Sequence, residues 1–221
     1  MSNSIASLRL LAAAGGLALG CGAPEHKMPA WMQPLDPTDQ AAAPAAVAGD
    51  PFPESVNVVT GTTSDYSWGH SHGWIHSPIG TVWKAMQDLD VIVDRRTVAQ
   101  WSITKTNVDS TATVSFIAHN VVQNVLTVTL DTEWREGPAN GDAGEPQVVA
   151  IRNDLQASSI FVSVLEDSVR LIRHDADTTE FESMRHGKTL SPTPETDIRT
   201  YENDLYNSVV ARVHGQPLPT Y

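Results

Sequence analysis

The feature that most constrains this fold is one long amphipathic stripe near the end of the chain. Ile198, Tyr201, Leu205, Val209 and Val213 recur at helical spacing and so fall along one side of a helix. Thr193 reads as its cap and Pro194 as its first position, while Glu195 and Asp197 complement the positive end of the helix dipole. Gly215 and Pro217 stop it. A helix of that length with one oily side needs a broad apolar surface to lie on. Most of the preceding chain has the two-residue period of strands, so the surface is a sheet, and the class is α+β.

The clearest strand runs from Tyr66 to His76, where Tyr66, Trp68, His70, His72, Trp74 and His76 alternate with mostly small residues such as Ser67, Gly69, Ser71 and Gly73. Ser77-Pro78 then opens a short helix carrying Ile79, Val82, Trp83 and Met86 on one face, and a further helical turn fits between Val91 and Val98. Strands are predicted at Trp101–Asn107, Thr111–His119, Val125–Arg135, Gln147–Gln156, Ile160–Arg173 and Thr178–Gly187, with Gly137–Asp142 as a loop. Consecutive strands tend to be neighbours, so an antiparallel meander of about seven strands is expected.

The first 20 residues carry one basic residue, Arg9, then an apolar run from Leu10 to Leu19, and no acidic residue. That is the layout of a secretory signal peptide, and its apolar run is well short of the roughly 20 residues a membrane-spanning helix needs. Leu17-Ala18-Leu19-Gly20-Cys21 resembles the bacterial lipobox, with Ala18 and Leu19 as departures from its commonest form. The resemblance implies that Cys21 becomes the acylated first residue of an envelope protein anchored in a membrane. Gly22 in place of an aspartate leans toward the outer one where there are two. Residues 21–55 are rich in alanine and proline and read as a disordered tether, with docking of Met28, Trp31 and Met32 on the domain as the minority alternative. The folded domain then covers residues 56–215, and residues 216–221 form a tail.

Charge narrows the function. With 14 Lys+Arg against 26 Asp+Glu the formal charge is −12, which gives no surface for neutralising phosphates and argues against nucleic acid as a partner. A single cysteine excludes an internal disulfide and a cysteine-rich zinc site.

The order of these elements, with the phrase Ile75-His76-Ser77-Pro78-Ile79-Gly80-Thr81-Val82-Trp83 followed by Arg95-Arg96 and Trp101, resembles the helix-grip fold of polyketide cyclases and START-like lipid-transfer proteins, the SRPBCC superfamily. The resemblance spans about residues 60–215. It implies a curved antiparallel sheet wrapped around the last helix, with a ligand chamber between them, and it carries no universal catalytic signature.

Three candidate sites follow. Val128, Leu130, Trp134, Ile151, Tyr201, Leu205 and Val209 would line the chamber for an apolar small molecule or lipid; the competing reading is a dry core. His70 and His72, two apart on one strand face, could share a divalent metal with a third ligand such as Asp65 or Asp131; the competing reading is a polar face meeting solvent or packing on the tether. His119, Asp131, Arg135, Arg173, Glu180, Glu182, Arg185 and His186 are isolated polar groups in no known catalytic context, so no catalytic residue is assigned. The leading expectation is a non-catalytic carrier domain. A cyclase- or hydrolase-like enzyme using the strand histidines, and a packed scaffold contacting another envelope protein, stand as alternatives.

Overall fold

The computed structural model describes residues 28–123, 126–159, 161–190 and 193–221; Cys21 and the apolar run before it lie outside the described residues. Eight strands form one antiparallel sheet: β1 (Val56–Thr62), β2 (Ser67–Ile75), β3 (Val98–Thr106), β4 (Val114–Gln123), β5 (Thr127–Gly141), β6 (Pro146–Ser158), β7 (Val164–Arg173) and β8 (Thr179–Lys188). Helices α1 (Ile79–Met86) and α2 (Leu89–Ile92) carry the chain from β2 to the far edge at β3. From there each strand pairs with its predecessor until β8 closes on β2, giving the order β1-β2-β8-β7-β6-β5-β4-β3. Helix α3 (Glu195–Val213) lies against β1, β2 and β8 on the inner face. This is the predicted architecture, with eight strands where about seven were expected. Among the described residues, no helix is long and apolar enough to cross a membrane.

The alternation in β2 fixes how close the helix comes. A Cβ added at Gly69 would lie 2.4 Å from Ile198 Cγ2, and one at Gly73 would lie 2.8 Å from the Tyr206 ring. Small residues therefore face α3, while Trp68, His70, His72 and Trp74 point to the outer face. Ile79, Val82, Trp83 and Met86 of α1 meet Val149, Ile151, Val169, Leu171, Phe181, Leu205 and Val209 in one dry cluster at the α1 end of the inner face. Phe181 also meets Tyr206 edge-on with centroids 5.8 Å apart.

Several boundaries depart from the expectation for local physical reasons. Ser77 and Thr193 do not cap their helices; Pro78 and Pro194 occupy the cap positions, with no side-chain cap bond at either. The additional strand is β1, whose Val-Asn-Val-Val-Thr-Gly-Thr run does not alternate cleanly. The Gly137–Asp142 loop is instead largely strand, since β5 continues to Gly141 through bulges beside Pro138 and Asn140. Pro138 is tolerated because β4 begins at Val114, opposite Glu136, so beyond that point the side of β5 facing β4 needs no donor.

The expected tether is, from Met28 onward, a strap on the outer face. Trp31 is buried, with its indole N–H donated to Thr111 Oγ1 at 3.0 Å. Leu35 N–H donates to Ser168 Oγ at 2.9 Å, and Phe52 lies against Trp74 with ring centroids 4.8 Å apart. The C-terminal tail also folds back: Arg95 donates to Pro219 O at 2.8 Å and Arg96 lies over the Tyr221 ring. Composition suggested solvation for the first of these segments, but scattered aromatic and polar anchors are enough to dock a segment without regular structure.

Candidate functional site

Where α3 leaves α1 behind, the inner face is not filled. The turn after α2, the N-terminal half of α3 and strands β5, β7 and β8 surround a cavity of about 280 Å³, walled by Val128, Leu130, Val164, Leu165, Ile198 and Tyr201. A narrower compartment of about 80 Å³ shares the walls Leu130, Leu165, Arg185 and Tyr201 and runs inward to Ala118, Thr132, Trp134 and Asn153. Phe161 stands at the rim, partly exposed, with a left-handed backbone (φ 69°). Leu126 and Leu190, on the β4–β5 and β8–α3 connections, are exposed at the same end of the sheet.

One cation reaches into this chamber, which the carboxylate residues Asp94 and Asp197 also line. Arg185 follows Phe181 and Ser183 on the inward positions of β8, and its guanidinium lies 3.5 Å from the centroid of the Tyr201 ring. It donates to Asp167 Oδ1 at 3.0 Å, while Asn153 Nδ2 donates to Asp167 Oδ2 at 2.7 Å. Burial pushes Asp167 up and works against the Arg185 charge. Arg185 nonetheless keeps its charge, because Asp167 raises it beyond its already high value and a guanidinium does not release its proton in a protein. Among the described residues, Asp167 is the one hydrogen-bond partner of Arg185, so its other N–H groups are free for a guest in the chamber it lines.

Two further carboxylates are buried on the inner face without lining the chamber. Glu202 of α3 accepts from Ser71 Oγ at 2.8 Å, and burial pushes it up to about 7. Glu136 of β5 accepts from Trp83 Nε1 at 2.7 Å and is likewise pushed up by burial to about 7. Each retains one oxygen with no hydrogen-bond partner.

The predicted chamber residues divide. Val128, Leu130 and Tyr201 line the main cavity and Trp134 the inner compartment, whereas Ile151, Leu205 and Val209 belong to the dry cluster. Arg185, Asp167 and Asn153 were not read as chamber residues. The alternation of β8 held the signal, since Phe181, Ser183, Arg185 and Gly187 share one face, but the sequence did not say which face turns inward.

The histidines lie on the opposite side of the sheet. His70 Nε2 is 2.7 Å from Asp36 Oδ2, and its Nδ1 accepts the Gln40 backbone N–H at 2.8 Å. His72 Nε2 is 2.6 Å from Glu180 Oε1; the adjacent Asp39 and Glu180 carboxylates push this imidazole up to about 10. Asp39 is held well below the carboxylate range: burial opposes ionisation, but His70 and His72 outweigh it. His186 sits 2.9 Å from both Asp36 and Glu166. His70 and His72 thus face the strap, each engaged with a different acid, and among the described residues the group that could hold an ion is Asp39, His72 and Glu182. Asp65 and Asp131 do not join it, and Asp131 instead holds His119 at 2.6 Å.

No family model matches this sequence, and no curated protein does. Solved structures do. A STAR-related lipid transfer protein from Xanthomonas axonopodis superposes with a TM-score of 0.51 at 11% identity, over 74% of this chain and 93% of that one. A START superfamily protein from Mycobacterium smegmatis gives 0.45 at 10% identity over 67% and 94%. The Zhui aromatase/cyclase from Streptomyces gives 0.42 at 15% identity over 72% and 94%. With the wrapped sheet, the terminal helix and the chamber between them in place, the first of these likenesses establishes that the chain has the helix-grip fold found in START-like structures.

Proposed function

We propose that this domain binds and carries an apolar small molecule or single-chain lipid whose polar head is an anion or a hydrogen-bond acceptor. The observation that carries the reading is Arg185: a guanidinium with unused donors at the wall of a largely apolar chamber whose other charged lining residues are Asp94 and Asp197. A carboxylate or carbonyl head would take up these donors in a charge-assisted hydrogen bond. A cavity of about 280 Å³ lies at the small end of ligand pockets, which favours one acyl chain or a small ring system over a two-chain phospholipid. The likeness to lipid-transfer structures supports the same class of guest. An open chamber weighs against a packed scaffold. A reaction combining chamber and histidines is disfavoured because the sheet separates them.

The lipobox resemblance adds an anchor. With Cys21 acylated, the protein hangs from an envelope membrane, and the lean by resemblance is to the outer one. Met28 lies beside Ala139 and Asn140, at the far end of β5 from Val128 at the chamber wall. That separation is about 37 Å along the strand at antiparallel rise. The anchor would therefore hold the β5–β6 turn toward its membrane and leave the mouth, with Leu126, Phe161 and Leu190, facing away toward a partner or donor.

The test is displacement of a fluorescent fatty acid from the mature protein, comparing a free acid with its methyl ester. Saturable binding of the acid, weakened at least tenfold by Arg185→Met while the ester changes less, is the expected result. Failure of both probes to bind would remove the carrier reading. Native mass spectrometry of protein from its own host identifies a resident guest, and acyl labelling lost in Cys21→Ser tests the anchor separately.

A further inference from the structure

The outer face holds a second arrangement that the chamber does not use. Asp39, on the strap, has its Oδ1 occupied by the Ala41 N–H at 2.8 Å, while its Oδ2 is buried with no hydrogen-bond donor. That oxygen lies 3.4 Å from His72 Nδ1, which is itself 3.3 Å from the Ala41 carbonyl oxygen. Glu182 stands directly across the β2–β8 ladder from His72, and one oxygen from each acid and one His72 nitrogen all fall within 4.8 Å of one another. Arg170 takes one Glu182 oxygen at 2.9 Å and leaves the other.

These separations are too long for good charged hydrogen bonds, which close to about 2.7–2.9 Å. The 3.3 Å and 3.4 Å separations match the edges of a coordination tetrahedron, in which ligands held at about 2.0–2.1 Å around zinc stand about 3.3 Å apart, and Glu182 stands within 4.8 Å of the other two side-chain ligands. The other His72 nitrogen is 2.6 Å from Glu180, the carboxylate–histidine pairing that orients imidazole ligands at metal sites. Charge points the same way. Asp39, Glu180 and Glu182 face His72, with Arg170 as the nearby guanidinium. His70 stands 3.5 Å from Asp39 Oδ1 and offsets part of this negative charge, leaving three acids against His70 and Arg170.

We propose that Asp39, His72 and Glu182, with the Ala41 carbonyl as a fourth ligand, bind one tetrahedral divalent cation of the zinc class, which staples the N-terminal strap to the sheet. Binding displaces the Nδ1 proton of His72 and keeps its Nε2–H on Glu180. The Glu182 side chain completes the shell by a rotamer change while its other oxygen stays on Arg170. The site lies on the face opposite the chamber, so it stands or falls apart from the carrier reading.

The experiment is calorimetric titration of the chelator-treated mature protein with Zn²⁺ alone at pH 8, together with the visible spectrum of Co²⁺ in its place. The expected result is one ion per chain, a tetrahedral Co²⁺ band, and slower proteolysis of the strap when zinc is present. Asp39→Asn and Glu182→Gln should each weaken binding at least tenfold. Asp36→Asn, which touches the strap contacts of His70 and His186 but not this group, should leave it within twofold. Circular dichroism checks that each variant is folded. Absence of stoichiometric binding, an octahedral Co²⁺ spectrum, or affinity unchanged by both ligand variants would overturn the proposal.

Discussion

The two halves of α3 present the same stripe and meet different surroundings. Leu205 and Val209 press on Phe181, Val169 and the α1 residues Val82 and Met86, and the space between is filled. One or two turns earlier, Ile198 and Tyr201 face Leu130, Leu165 and Arg185 across a cavity. The helix is thus gripped at one end and held off the sheet at the other. Packing at the α1 end supplies stability, which lets the opposite end remain open, because a fold with one well-filled half can tolerate unsatisfied surface in the other.

The most direct way to break this contrast is to truncate a large side chain at each end and compare the costs. Phe181→Ala in the filled half should destabilise by about 3–5 kcal/mol in urea unfolding, because the hole it leaves has no room to relax. Leu130→Ala at the chamber wall should cost only about 1–2 kcal/mol, since part of its surface already faces empty space. Equal costs would mean that the chamber is closed in solution.

The charged wall gives the next largest effect. Arg185→Met removes the partner of Asp167, which is buried, and should cost about 3 kcal/mol at neutral pH. Asp167→Asn in the same chain should recover much of that loss, because Asn leaves no charge behind. If the double variant were no more stable than Arg185→Met alone, the ion pair would not be the cause.

Glu202 sharpens the comparison through pH. It faces Ser71, Ser183, Asp167 and Arg185, and burial raises it from 4.5 to about 7. The folded protein therefore keeps a proton that the unfolded chain releases, so its contribution is favourable at low pH and is lost as pH rises from about 4.5 to 7. Glu202→Gln should accordingly stabilise by up to about 2–3 kcal/mol at pH 8 and by little at pH 4. A gap that does not change with pH would show that Glu202 does not titrate in this range.

What was legible in the sequence follows the same division. Periods are local, so the α3 stripe, α1 and the alternation of β2 could be read, and with them the wrapped sheet. The packing state of α3 could not, because Leu205 and Tyr201 look alike until their partners are known. Arg185 was visible as one member of an alternating set in β8, but the choice of inward face depends on β2 and β7, which are remote in sequence. The strap was the hardest case. Its prolines and alanines signal solvation, and its anchors gain meaning only from the remote residues they meet, Thr111 for Trp31 and the histidines of β2 and β8 for Asp36 and Asp39. The strict His-Trp face of β2 was the available sign that something covers it.

That cover yields the smallest predicted effect and the last contrast between the two faces. On the outer face His186 has both ring nitrogens on carboxylates, Asp36 of the strap and Glu166 of β7; Tyr66 stacks on it, Arg152 pairs with Glu166, and Asp36 is shared with His70. Burial disfavours the imidazolium, but the bonds to Glu166 and Asp36 outweigh it and raise His186 above its ordinary value. The docking contribution is therefore full below the unfolded value of 6.5 and declines as pH rises through the raised one. In metal-free protein, exchange of the Leu35 and Gln40 amide protons, corrected for the intrinsic rise with pH, should be a few-fold less protected at pH 9 than at pH 6. His186→Gln should flatten that slope without changing ligand binding in the chamber. A slope that survives the substitution would assign the pH response to another group and leave His186 as packing alone.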